Sequence, residues 1–184
     1  YVDGETATID FQNAQGDQAN MKSIAESFVS HDADIMIGVA TPAAQALKNA
    51  SDEIPVILGA VQDPVGAGLV ESLEAPGSNA TGLSNRTPSN EQMALIKQFL
   101  PDATTIGVMY TTAEDNAIIS GQRAEQAAAD LGFEVVTRTI TTSNDIAQAA
   151  ESLAKEVDAI YVPNDNVIAS GMATLVDAAD AFGI

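Results

Sequence analysis

The chain has 184 residues, 46% of them apolar, enough for one core or two small ones. Its 26 Asp and Glu stand against seven Lys and Arg, a formal charge of −19 whose field repels nucleic acid and anionic membrane surfaces, so nucleic-acid binding is excluded. Cys is absent, which removes disulfides, thiolate metal sites and a Cys nucleophile, and no apolar run reaches the roughly 18 residues of a membrane span.

Residues 6–12 alternate Thr8, Asp10 and Gln12 with Ala7, Ile9 and Phe11, the period of a half-buried strand. Asp17 then caps a helix whose buried face is Met21, Ile24, Ala25 and Phe28 at i, i+3, i+4, i+7. Residues 34–39, DIMIGV, read as a strand buried on both faces of a parallel sheet. It ends at Ala40-Thr41-Pro42, where Thr41 is placed as N-cap and Pro42 at the first helical position of a helix over 43–50. Residues 54–70, IPVILGAVQDPVGAGLV, repeat this plan: a strand over 55–61, a turn at Gln62-Asp63-Pro64 and a Gly-rich helix start. Two helix amino ends are thus expected at one edge of one sheet.

After a loop at Pro76-Gly77 and a strand over 79–83, the chain turns polar, and the crossing into a second domain is placed near 84–88. A helix over 91–100 follows, with Met93, Ile96 and Leu100 on one face. Strands over 104–110, 133–139 and 158–162 then alternate with helices over 116–131, 145–156 and 167–182, the pattern of right-handed βαβ units on a parallel sheet. Gly132 suits the residue just past a helix end. The domains expected are 1–84 and 85–184. Neither lobe looks complete: the first lacks an opening strand and helix and the second a closing strand and return, so the chain reads as truncated at both ends.

Polar groups collect where ligands bind in open α/β sheets, at strand carboxyl ends: Thr41, Gln62 and Asp63 in the first half, Tyr110, Glu114, Asn116, Asp165 and Asn166 in the second. Helix amino ends at Thr41 and Pro64 suit a carboxylate or phosphate, while Asp63 and Asp165 suit an ammonium, so a zwitterion matches both. Plainer roles stay open, with Thr41 and Asp165 as helix caps and Asp63-Pro64 as a turn. Gly66-Ala67-Gly68 has two glycines of a dinucleotide fingerprint, but Glu71 stands where the third belongs and Asp63 would face the pyrophosphate; close helix packing is the better reading. The single histidine, His31, sits at a helix end beside Asp32, and without a second His or any Cys neither a Ser-His-Asp triad nor a zinc site can be assembled. No enzyme, metal or cofactor is expected.

The stretches DADIMIGVATPAAQAL, IPVILGAVQDPVGAGLV, GSNATGLSN, IGVMYTTAEDNAIISGQRAEQAAADLGFEV and VDAIYVPNDNVIASGM resemble successive signatures of ABC-transporter substrate-binding proteins of the tryptophan/tyrosine type. The resemblance implies an α/β, type I periplasmic-binding-protein-like fold: two Rossmann-like lobes with parallel sheets, closing on a ligand by hinge motion. It implies an extracytoplasmic protein, free in the periplasm or tethered as a lipoprotein, that hands an aromatic amino acid such as tryptophan, phenylalanine or tyrosine to an ABC permease. Carried over by motif position, Thr41 with the neighbouring amides, Ala40 among them, would hold the ligand carboxylate. Gln62 and Asp63 would line the first lobe, and Tyr110, Asn116, Asp165 and Asn166 the second, with Asp165 meeting the ammonium. The alternative is a ligand-sensing effector domain of the same fold in a receptor or regulator.

Overall fold

The structure, a computed structural model, describes residues 2–184. Six strands form two parallel sheets. The first has the order β1-β2-β3, with β1 Met36–Val39, β2 Val56–Val61 and β3 Ala80–Ser84. The second has the order β5-β4-β6, with β4 Thr105–Thr111, β5 Glu134–Ile140 and β6 Ala159–Tyr161. Because every pairing is parallel, each sheet gathers its strand carboxyl ends on one edge.

The first sheet packs one face against α1 Gln18–Ser30 and α2 Thr41–Ala50, and Ala25, Met36, Ala44, Leu47, Val56 and Leu58 fill the space between. Asp17 caps α1 as expected, its carboxylate accepting the Asn20 N–H at 2.8 Å. Gly38 lets α2 approach closely, since a Cβ there would stand 2.6 Å from the Ala44 Cα. The expectation that residues 34–39 are buried on both faces is corrected. Met36 and Gly38 are covered, but Ile37 and Val39 are 64% and 66% exposed, because among the described residues no helix lies over that face.

Residues 6–12 also depart from expectation. They form no strand; an isolated bridge joins Asp3 to Ala7, and Ile9 and Phe11 are exposed. Alternation supplies a strand's side-chain pattern, but a strand also needs a neighbour for its backbone groups, and beyond the single bridge at Ala7 no described strand pairs with this segment. The Gly-rich helix start after Asp63 is likewise a run of turns, residues 64–68, in which Leu69 N–H returns to the Pro64 carbonyl at 2.9 Å. Gly68 takes φ 70°, and glycine's freedom works against continuing a helix there. Among the described helices of the first lobe, α2 alone therefore brings an amino end to this edge.

The second sheet is covered on both sides, as the apolar run of β4 requires. Ile106, Val108 and Tyr110 face α3 Ser89–Phe99 and α4 Asp115–Asp130, packing with Met93, Ala117, Ala124 and Ala128. Met109 faces the other way, joining Ile146, Ala150 and Leu153 of α5 Ile146–Ala154 and Leu175 of the last helix. The helix expected over 167–182 is broken at Gly171 into α6 Asn166–Ser170 and α7 Met172–Asp180. A Cβ on Gly171 would lie 2.5 Å from Ile146 Cδ1, so the break is also a close approach to α5.

Candidate functional site

At the end of β1, Ala40 has φ 75° and ψ 156°, a conformation that costs a non-glycine residue free energy. Ala60 of β2 is similarly placed at φ 54°, beside the irregularity in the β2–β3 register. Ala40, not Thr41, is the N-cap of α2, so Thr41 is the first helical residue and is 2% exposed. The one-residue shift changes the chemistry, because an Ala cap has no side chain to satisfy the first-turn N–H groups. Those of Thr41 and Ala43 are left at an uncapped, positive helix end, with Pro42 contributing no donor.

One stripe of α4 meets this edge of the first lobe. Asp115, Ile119 and Arg123 recur every four residues and so share a helix face. Asp115 accepts from Gln45 Nε2 at 2.7 Å, and Gln45 also reaches the Ala67 carbonyl at 3.1 Å. Ile119 lies where a Cβ on Gly66 would be, at 2.9 Å. Arg123 pairs with Asp63, whose other oxygen accepts the Gly66 N–H at 2.9 Å. Burial alone would raise the Asp63 pKa, but the Gly66 N–H and the Arg123 guanidinium outweigh it and hold the carboxyl below its ordinary value. Ser120, on the same side of α4, meets Gln62. In the orientation that satisfies both ends of its amide, Gln62 donates to the Asn85 carbonyl at 2.7 Å and accepts from Thr87 N–H at 3.1 Å and Ser120 Oγ at 3.0 Å. Asp63 and Gln62 thus do reach the second half of the chain, but their polar atoms are engaged by protein.

The carboxyl edge of the second sheet holds a buried cluster. Asp165 is 4% exposed; one oxygen accepts Thr111 N–H at 2.6 Å and the other caps α6 through Ile168 N–H at 2.8 Å. Burial raises its pKa against these donors, and the nearby Glu114 charge adds to the rise. Glu114 is 7% exposed, and its Oε2 accepts from Asn116 Nδ2 at 3.1 Å, Asn166 N–H at 3.2 Å and Asn166 Nδ2 at 2.8 Å. Asn116 also donates to the Asn164 carbonyl at 3.0 Å, while its Oδ1 is buried with no partner among the described residues.

Asn116, Asp165 and Asn166 are therefore brought together around Glu114. Tyr110 is not. It points into the core beneath α4, its ring over Gly121 and its hydroxyl donating to Glu125 Oε1 at 3.1 Å; burial, then the Glu125 charge, raises its pKa. Thr111, fully buried, is the residue at the strand's end. Sequence reasoning missed Gln45, Asp115, Ser120 and Arg123. A spacing of four along α4 was available as a signal, but nothing local pointed from it to residues 58 to 70 positions earlier. Among the described residues no group of His, Asp and Glu could hold a metal ion, and no helix is long and apolar enough to cross a membrane.

Two parallel α/β lobes, with the carboxyl edge of one sheet engaged by a helix of the other, define a type I periplasmic-binding-protein-like fold. A family model described as ABC transporter substrate binding protein matches residues 1–183, and the chain belongs to that family. It is 45% identical over 172 residues to a tyrosine-binding protein of Clostridioides difficile (strain R20291), covering 94% of this chain and 50% of that one. The chain thus spans about half the length of this curated relative. A structure from Streptococcus pneumoniae in complex with L-Trp is 38% identical, with TM-score 0.95 over 98% of this chain and 61% of that one. A ligand-free, open substrate-binding protein with adhesive properties from Clostridium difficile is 44% identical, with TM-score 0.65 over 100% of this chain and 62% of that one. The second is nearer in sequence yet further in shape, and the chain superposes more closely on the L-Trp complex than on the open form.

Proposed function

We propose that this chain captures an amino acid, aromatic in kind, in the cleft between its lobes and presents it to an ABC permease on the extracytoplasmic side of a membrane, free or tethered as a lipoprotein. The role is binding and release, not turnover. The lobes divide at 1–84 and 85–184, and Asn85 and Thr87, which hold the Gln62 amide, lie at the crossing. The observation that carries the reading is the uncapped amino end of α2 at the edge where α4 closes over the first lobe. Its unsatisfied N–H groups and positive dipole suit a carboxylate, held by Thr41 with the amides beside it. The strain at Ala40 fits a backbone shaped for a ligand. The names of the relatives, one tyrosine-binding and one in complex with L-Trp, favour an aromatic cargo.

Ligand contacts to both lobes would favour the closed arrangement, and Gln45–Asp115, Gln62–Ser120 and Asp63–Arg123 would accompany closure. Calorimetric titration with L-tyrosine, L-tryptophan, L-phenylalanine and the branched amino acids tests the reading. Heat with at least one aromatic amino acid is expected. No heat with any of them, alongside binding of a sugar or peptide, would refute it.

A further inference from the structure

On the outside of the first lobe, α1 ends shortly before β1 begins and α2 starts where β1 ends, so the two helices lie side by side and both run away from the ligand edge of the sheet. Between them is a groove of about 450 Å³. Pro42 and Ala46 of α2 form its covered part, and Gln18 and Asn49 stand exposed along it. The small floor leaves room for a chain of modest side chains, and the amides each offer both donors and an acceptor, the match for an extended peptide backbone.

Two observations say what lies in it. The first is continuity with the contact between the lobes: Gln45 lines the groove and also donates to Asp115 of α4 at 2.7 Å and to the Ala67 carbonyl at 3.1 Å. Opening the lobes removes Asp115 from Gln45, so the groove has its full rim only when the lobes meet. The second is charge. Residues 1–84 carry Lys22 and Lys48 as their only Lys or Arg, and Lys48 is tied to Asp52 at 2.6 Å. Glu26, in the groove, has only Lys22 at 3.8 Å, both side chains being largely exposed, so its carboxylate is free to take a cation from a partner. A formal charge of −19 steers the same kind of partner towards this chain.

We propose that the α1–α2 groove is the docking site for an extended extracytoplasmic loop of the permease, one that lays its backbone along Gln18 and Asn49 and places a Lys or Arg against Glu26. The assignment rests on the transport reading given above. Cargo passes from a cleft to a pore without loss to solvent only if the docking surface borders the cleft, and this groove begins at the ligand edge. Because Gln45 joins the groove to Asp115 of the other lobe, the loop meets its complete site on a protein whose lobes are together. Docking therefore distinguishes loaded from empty protein, and it does so through a coupling in which the loop and the amino acid favour the same arrangement.

The test uses the full-length protein with L-tyrosine or L-tryptophan, and its permease reconstituted with the partner ATPase in lipid nanodiscs. Glu26→Lys reverses the charge in the groove, and Asn49→Trp fills it. Both positions are exposed, so the fold should survive. Glu151→Lys, at an exposed position on α5 of the other lobe, changes net charge by the same amount as Glu26→Lys and serves as control. The concentration of loaded protein that gives half-maximal ATP hydrolysis should rise about tenfold for Glu26→Lys and Asn49→Trp and stay at the wild-type value for Glu151→Lys. Calorimetric affinity for the amino acid should be the same in all four proteins. A photoreactive maleimide on Asn49→Cys, in a chain otherwise free of cysteine, should crosslink to the permease, and more so with the amino acid than without it. Unshifted half-maximal concentrations for both groove variants, an equal shift with Glu151→Lys, or crosslinking indifferent to the amino acid would overturn the assignment. If wild type binds none of the amino acids, the functional reading itself falls. If wild type binds them and drives ATP hydrolysis while both groove variants match it, only the groove falls.

Discussion

Arg123→Gln should loosen the closed arrangement without touching either lobe's core. The pair it removes is half sheltered: the Arg123 side chain is 29% exposed and that of Asp63 15%. Exposed ion pairs are worth about 0–1 kcal/mol, and breaking a fully buried one costs about 3–5 kcal/mol, so this pair falls between, at about 1–2 kcal/mol. Asp63 keeps its Gly66 N–H after the change, which argues for the lower part of that span. The pair joins residues on opposite lobes, so its loss falls on the closed state alone. At about 1.4 kcal/mol per factor of ten, the ratio of open to closed molecules should rise about tenfold. The cysteine-free chain allows spin labels to be placed cleanly at Glu53→Cys and Gln122→Cys, both at exposed positions on different lobes. The distance distribution between the labels, read by electron double resonance without ligand, should gain an open population in the variant. Raising salt should shift wild type in the same direction by less, because partial burial limits screening. Identical distributions for wild type and variant would refute the view that this ion pair restrains opening.

Acid should reproduce part of that effect. The Asp63 carboxyl is held below its ordinary pKa, so the pair's contribution is complete above the unfolded value of about 3.9 and is lost as pH falls through the lower folded value. The melting-temperature gap between wild type and Asp63→Asn should therefore be full at pH 6 and close as pH falls below about 4. Gly121→Ala would place a Cβ 2.4 Å from Tyr110 Cδ1, against a ring held by Glu125. Such overpacking costs about 1–3 kcal/mol, and calorimetry should show a melting point about 2–4 °C lower for each kcal/mol. Leu153→Ala, at a fully buried position in the core beneath β4, should cost about 2–5 kcal/mol, visible as a lower urea midpoint with an unchanged slope.

Much of the fold was readable because its signals are local. The spacing of Ala117, Gly121, Ala124 and Ala128 marks α4, and the alternation of strands with helices places β4 and β5 close to where they stand. The same logic failed at residues 6–12 and at the outer face of β1, where burial depends on a neighbour that no local pattern specifies. It failed again after Asp63, where Pro64 resembles a helix start but Gly66 and Gly68 favour turns. At the site, residue types at strand ends were informative, and Asn116, Asp165 and Asn166 do converge. Their division of labour was not readable. Whether Asp165 or Glu114 has an oxygen to spare depends on which backbone N–H groups approach it, and Asp63 acquires its partner from 60 residues away.

The α4 stripe has a consequence for how such a protein could change over time. Near its start Asn116 meets Glu114 and the loop at Asn164 within the second lobe; two turns later stands Arg123, which pairs with Asp63 of the facing lobe. On the proposed reading, substitutions at Arg123 or Asp63 would scale the affinity for every ligand together, whereas those at residues that touch the ligand would reorder the ligands. If the chain binds as proposed, strength and preference are set at separate positions, so a lineage could adjust how tightly a ligand is held without altering which ligand is preferred.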